Sequence, residues 1–241
     1  MRSWILGTIS ATAIVAAPVM ASASSLQVSP INVEVPAPGA ASAVTVENPG
    51  TDNVNAQIRI FKWLQKDGKD EMVPTKEVVA SPPAVKLKPG KKTVVRIVRV
   101  SKTPATGEET YRLIVDEVPK PPKVGQAGVG FSVRYSIPVF FTKPGEDAAL
   151  SWKASLVKGQ LVLQANNDGG RRTRIAALKV VNGAGKTIKV SDGLAGYVLG
   201  QSSKRWIVKG GKSLAAGGKI KIIAQGDNGP IEATARVVAA N

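Results

Sequence analysis

The stretch GVGFSVRYSIPVFF, residues 128–141, carries an apolar side chain at every second position from Val129: Val129, Phe131, Val133, Tyr135, Ile137 and Val139. Between them stand Gly130, Ser132, Arg134, Ser136 and Pro138. A period of two belongs to a β-strand with one apolar and one polar face. Pro138 has no amide hydrogen and cannot complete a ladder on both flanks, so the strand is expected at a sheet edge. A long apolar strand at an edge invites pairing with another chain.

Outward from this strand, the chain reads as short alternating segments parted by Pro/Gly turns, the pattern of β-sandwiches. LQVSPINVEV, residues 26–35, is broken by Pro30 and is predicted to bend or to lie at an edge. Further strands are predicted over 42–47, 55–64, 78–79, 84–87, 93–100 and 110–118. Turns are read at Asn48-Pro49-Gly50, Lys66-Asp67-Gly68 and Lys88-Pro89-Gly90-Lys91. Thr142-Lys143-Pro144-Gly145 reads as a domain boundary. Beyond it the texture is richer in glycine, with strands predicted over 149–156, 160–165, 174–181, 186–190, 197–199, 204–208, 219–223 and 232–238. No helix of three turns is evident. The expectation is an all-β protein of two sandwiches, residues 24–143 and 144–241.

Residues 1–23 read as a secretory leader: Arg2, an apolar run and the small-residue site Ala21-Ser22-Ala23. Cleavage there removes one base and no acid, taking the formal charge from +16 to +15. An exported chain without cysteine has no disulfide staples, so apolar cores must hold the fold. It also has no histidine, which removes the usual general base and the commonest metal ligand. The 33 basic residues are scattered and aromatics make up 5% of the chain, which speaks against a nucleic-acid groove. No phosphate-cradling glycine loop precedes a helix, so neither cofactor nor metal is expected.

Several stretches in order resemble the periplasmic chaperones of pilus assembly, the chaperone–usher family. They are SLQVSPINVEV, EMVPTKEVVASPPAVKLKPGKKTVVRIVRV, GEETYRLIVDEVP and VRYSIPVFFTKPG; GLAGYVLGQSSKRWIV resembles a block of the archaic branch. The resemblance implies two immunoglobulin-like β-sandwich domains set as a boomerang, and a non-enzymatic periplasmic protein. It would bind pilus or fimbrial subunits by donor-strand complementation, deliver them to an outer-membrane usher, and have no stable membrane insertion once the leader is cut. The lent strand would be the opening stretch, with Val129, Phe131, Val133, Tyr135 and Ile137 as plugs. The family's usual members hold the subunit's terminal carboxylate with two cations. Asn32 and, approximately, Pro138 stand at the matching places here. Arg134 and Arg96 are therefore the substitute candidates, with Arg59, Lys62 and Arg112 ranked below them.

Two rivals stand beside this reading. A pilus subunit or secreted adhesin would be one incomplete sandwich with its donor segment at the N-terminus, whereas here the donor-like strand is central. An exported carboxylate-based hydrolase would need a facing acid pair, but Asp116 and Glu117 are neighbours on a strand and point to opposite faces.

Overall fold

The computed structural model describes residues 26–103, 105, 107–119, 132–209 and 216–240. The proposed leader lies outside them, as do Val129 and Phe131. Every regular element among the described residues is a strand. The first ten are β1 (Gln27–Ser29), β2 (Val33–Pro36), β3 (Ala41–Glu47), β4 (Val54–Lys66), β5 (Lys69–Pro74), β6 (Val78–Ser81), β7 (Ala84–Leu87), β8 (Lys92–Arg99), β9 (Glu109–Val118) and β10 (Arg134–Thr142).

They form two facing sheets. One has the order β1-β3-β8-β6, the other β2-β10-β9-β4-β5, with β7 also paired to β4. Pro30 divides the first predicted strand as expected: β1 joins the first sheet antiparallel to β3, and β2 joins the second parallel to β10. Alternation sorts the side chains. Along β8, Val95 and Ile97 are buried while Val94 and Arg96 face out. The inward residues merge into one core that includes Val33, Ile58, Leu113, Val115 and Val139. With each large apolar side chain contributing about 1.5–3 kcal/mol on burial, such a core needs no disulfide. β5 follows the predicted Lys66-Asp67-Gly68 turn in a stretch where no strand is predicted from sequence.

The remaining strands are β11 (Leu150–Val157), β12 (Gln160–Asn167), β13 (Thr173–Asn182), β14 (Thr187–Lys189), β15 (Leu194–Val198), β16 (Ser202–Val208), β17 (Lys219–Gly226) and β18 (Gly229–Ala240). Their order is β14-β13-β17-β18-β11-β12-β16, with β15 also on β13, around a second core. The two groups meet at a third, small cluster of Trp63, Phe140 and Leu199, with Tyr197 packed against it.

A charged seam flanks that cluster. Arg172 stacks its guanidinium 3.6 Å from the centre of the Phe140 ring. It pairs with Glu108 and donates to Glu34 Oε2 at 2.7 Å. Arg171 reaches the other oxygen of Glu34 at 2.6 Å. Burial pushes the Glu108 carboxyl above the ordinary carboxylate range, against the pull of Arg172. The β4–β5 hairpin supplies a second link, since Arg205 N donates to Gly68 O at 3.0 Å. Gly68 has a φ of 75°, and a Cβ there would stand 2.4 Å from Arg205 Cγ, so glycine is required twice over.

Candidate functional site

β10 is antiparallel to β9 along Arg134–Phe141, but β2 covers its other flank only from Val139 to Thr142. Glu117 N donates to Val133 O at 2.9 Å, so Val133, Tyr135 and Ile137 present their main-chain groups to β9. Arg134 and Ser136 present theirs to the other side, where no strand of the described residues lies beside them. Pro138 sits where the cover begins. A residue with an amide hydrogen there would carry a buried donor aimed at a flank that β2 has not yet reached. The edge expected from sequence is therefore real but partial. Extending the parallel register beyond Val33↔Val139 sets Asn32 level with Pro138.

Of the expected plugs, Ile137 is 2% exposed and lies in its own domain's core. Tyr135 is half-buried against that core, and its hydroxyl donates to Leu26 O at 2.7 Å. Val133 is half-buried at the mouth of the sandwich. Burial along this apolar face thus falls from Ile137 to Tyr135 and Val133, the last just before β10 begins. Val129 and Phe131 lie outside the described residues.

Arg134 and Arg96, the candidate anchors, are not brought together. Arg134 stands on β10 with an exposed side chain, tied to Asp116, which also accepts from Arg59 at 2.5 Å. Burial of Asp116 works to raise its pKa, but the two arginines hold the carboxyl below the usual range. Arg96 faces out from the four-stranded sheet between Ala43 and Ser81, on the other layer of the sandwich from β10. Neither is an uncommitted cation beside the open flank.

Arg112, which sequence reasoning ranked low, has that position. It stands opposite Pro138 on β9. Its guanidinium lies 3.7 Å from the centre of the Trp63 ring, and Nη1 donates to Ser136 O at 3.3 Å on the open flank. No carboxylate among the described residues reaches it within ion-pair distance. Burial pushes its pKa below the ordinary arginine value, opposed by the more distant charge of Asp70. A half-sequestered guanidinium with free donors suits a carboxylate. The signal available in the sequence was its place on the same strand face as Asp116. Among the described residues no group of three or more acids could hold a metal ion.

Comparison with known proteins gives a consistent picture. The family model for the pili and flagellar-assembly chaperone, PapD N-terminal domain, matches residues 25–145, half of the 241-residue chain. Comparison with curated proteins finds no match. The chain is similar to CsuC in the chaperone–tip adhesion subunit pre-assembly complex CsuC–CsuE, from the archaic chaperone–usher Csu pili of Acinetobacter baumannii. Identity is 27% over 90% of this chain and 100% of that one, with a TM-score of 0.68. In fold it is also similar to the Pseudomonas aeruginosa CupB2 chaperone (21% identity, 88% and 100% covered, TM-score 0.56). The Salmonella enterica SafB chaperone, solved with the SafA pilin, gives 19% identity, 90% and 98% covered, and a TM-score of 0.59. With the first domain matched by the family and an archaic relative matched along its whole length, this all-β, two-domain chain belongs to the pili and flagellar-assembly chaperones, in their archaic chaperone–usher branch.

Proposed function

We propose that the protein works in the periplasm, binds pilus or fimbrial subunits by donor-strand complementation, and passes them to an outer-membrane usher. The observation that carries this is the uncovered flank of β10 at Arg134–Pro138, continuous with an apolar face that leaves the domain's own core at Val133. A subunit strand laid along that flank would take the main-chain groups of Arg134 and Ser136, a β-augmentation. The plugs would be Val129, Phe131 and Val133, with Tyr135 at the border and Ile137 held back for the chaperone. Three plugs would contribute roughly 4.5–9 kcal/mol before association costs. The chaperones CsuC and SafB were each solved with a subunit of their pilus, which supports a subunit as the partner here. The basic surface would speed encounter with acidic subunits more than it tightens binding.

In this reading the subunit's terminal carboxylate meets Arg112, not Arg134 or Arg96. Arg112→Met keeps a long aliphatic side chain and removes the charge. It is expected to weaken capture of a subunit ending in its own carboxylate by about 10- to 100-fold, the loss of one charge-assisted contact. The same subunit with its C-terminus extended should already bind weakly and lose little more. Titration of both subunit forms against both proteins checks this. Unchanged capture of the native subunit by Arg112→Met would remove Arg112 from the role.

A further inference from the structure

A chain of contacts runs from the second domain to the open strand through Lys204, Asp70 and Trp63 to Arg112. Lys204 on β16 pairs with Asp70 on β5. The other oxygen of Asp70 accepts from Trp63 Nε1 at 3.2 Å and from Gln65 Nε2 at 2.9 Å. Gln65 bridges the same seam, donating to Tyr197 O at 2.7 Å and accepting from Leu199 N at 2.9 Å. The Trp63 indole is buried edge-to-face on Tyr197, with ring centres 5.6 Å apart, and tilted on Phe140 at 6.0 Å. One face of the same ring carries Arg112.

We propose that Asp70 is a positioning residue for Arg112: held by Lys204 of the second domain, it fixes the rotation of the Trp63 ring and so the place of the guanidinium beside Ser136. Indole has a single N–H and accepts nothing in return, so a buried ring with one acceptor has one satisfied orientation. A ring turned away from Asp70 would orphan that donor and tilt the face on which Arg112 rests. Burial works to raise the Asp70 carboxyl, yet its contacts with Lys204, Gln65 and Trp63 hold it below the usual range, so it stays a charged acceptor. Docking of the second domain and presentation of Arg112 are then one event. That Arg112 meets a subunit carboxylate rests on the function proposed above; its positioning by Asp70 does not.

The free protein tests this by NMR of the Arg112 Nε–H resonance, assigned through Arg112→Lys. Ring current from Trp63 should displace the proton strongly upfield, as expected for a guanidinium over an aromatic face. Asp70→Ala and Lys204→Met are each expected to remove about half or more of that displacement. Asp70→Asn keeps an acceptor for Trp63 Nε1 but loses the charge that Lys204 holds, so it should retain more of the displacement than Asp70→Ala and about as much as Lys204→Met, an order that a merely structural role would not give. A displacement unchanged in Asp70→Ala overturns the proposal. If that variant does not fold, an unchanged displacement in Lys204→Met overturns it instead. Loss of the displacement with undiminished subunit capture would uphold the positioning role and remove the carboxylate reading.

Discussion

Ile137→Asp is expected to unfold the first domain, whereas Val133→Asp, four residues earlier on the same strand face, should leave it folded and abolish recovery of subunit complexes. Both side chains belong to one apolar alternation, and the difference lies in what covers them. Ile137 is packed among core residues of both sheets. An ionised carboxylate there has no partner and costs several kcal/mol, and a neutral one still leaves a void and an unsatisfied acid. Set against a typical stability of 5–15 kcal/mol, that is enough to lose the fold. Val133 stands at the rim, and its contribution to the chaperone is mostly main-chain: Val133 O accepts from Glu117 N, and its N–H faces the Glu117 carboxylate at 3.4 Å. Aspartate keeps both groups. Inside a subunit groove the same carboxylate would be desolvated without a counter-charge. Thermal unfolding followed by circular dichroism, beside co-purification of a co-expressed subunit, separates the two effects. Normal complex yield from a folded Val133→Asp would sink the lent-strand reading, and a stably folded Ile137→Asp would contradict the placement of the core.

The two substitutions also mark where sequence reading ran out. Alternation over 129–139 predicts a strand with an apolar face, because a period of two is local physics, and β10 (Arg134–Thr142) takes up its later part. It cannot tell which residues of that face are buried in the chaperone's own core, since that depends on what the rest of the fold packs over each of them. β5 was not seen as a strand for a related reason: Lys69–Pro74 is exposed on both faces and so shows no alternation. Arg134 looked like the anchor because it stands between plugs, but Asp116 on the neighbouring strand claims it. Arg112 was passed over because its value comes from Trp63 and Ser136, which are distant in sequence and adjacent only across the sheet. Cations are placed by their neighbours, and neighbours across a β-sheet are not legible one strand at a time.

Arg172 tests the seam that sets this geometry. In sequence Arg172 is one of 33 scattered basic residues with nothing to single it out. In the structure Arg172 has a side chain 6% exposed, against a Glu108 side chain 1% exposed, with Phe140 beneath the guanidinium. Arg172→Met should cost about 3–5 kcal/mol, because it strands the buried Glu108 carboxylate without its counter-charge. Glu34 should suffer less, being partly solvated and still paired with Arg171. The double substitution Arg172→Met with Glu108→Leu is expected to recover most of that loss, since a buried ion pair exchanged for apolar side chains of similar volume is often neutral or better. Phe140 offers such a surface for the methionine. Denaturant unfolding of the two single variants and the double gives the coupling directly. A single-variant loss below about 1 kcal/mol, the level of an exposed pair, would mean that water reaches Glu108. A double variant no more stable than Arg172→Met would mean that the cost comes from lost stacking on Phe140 and not from the stranded charge.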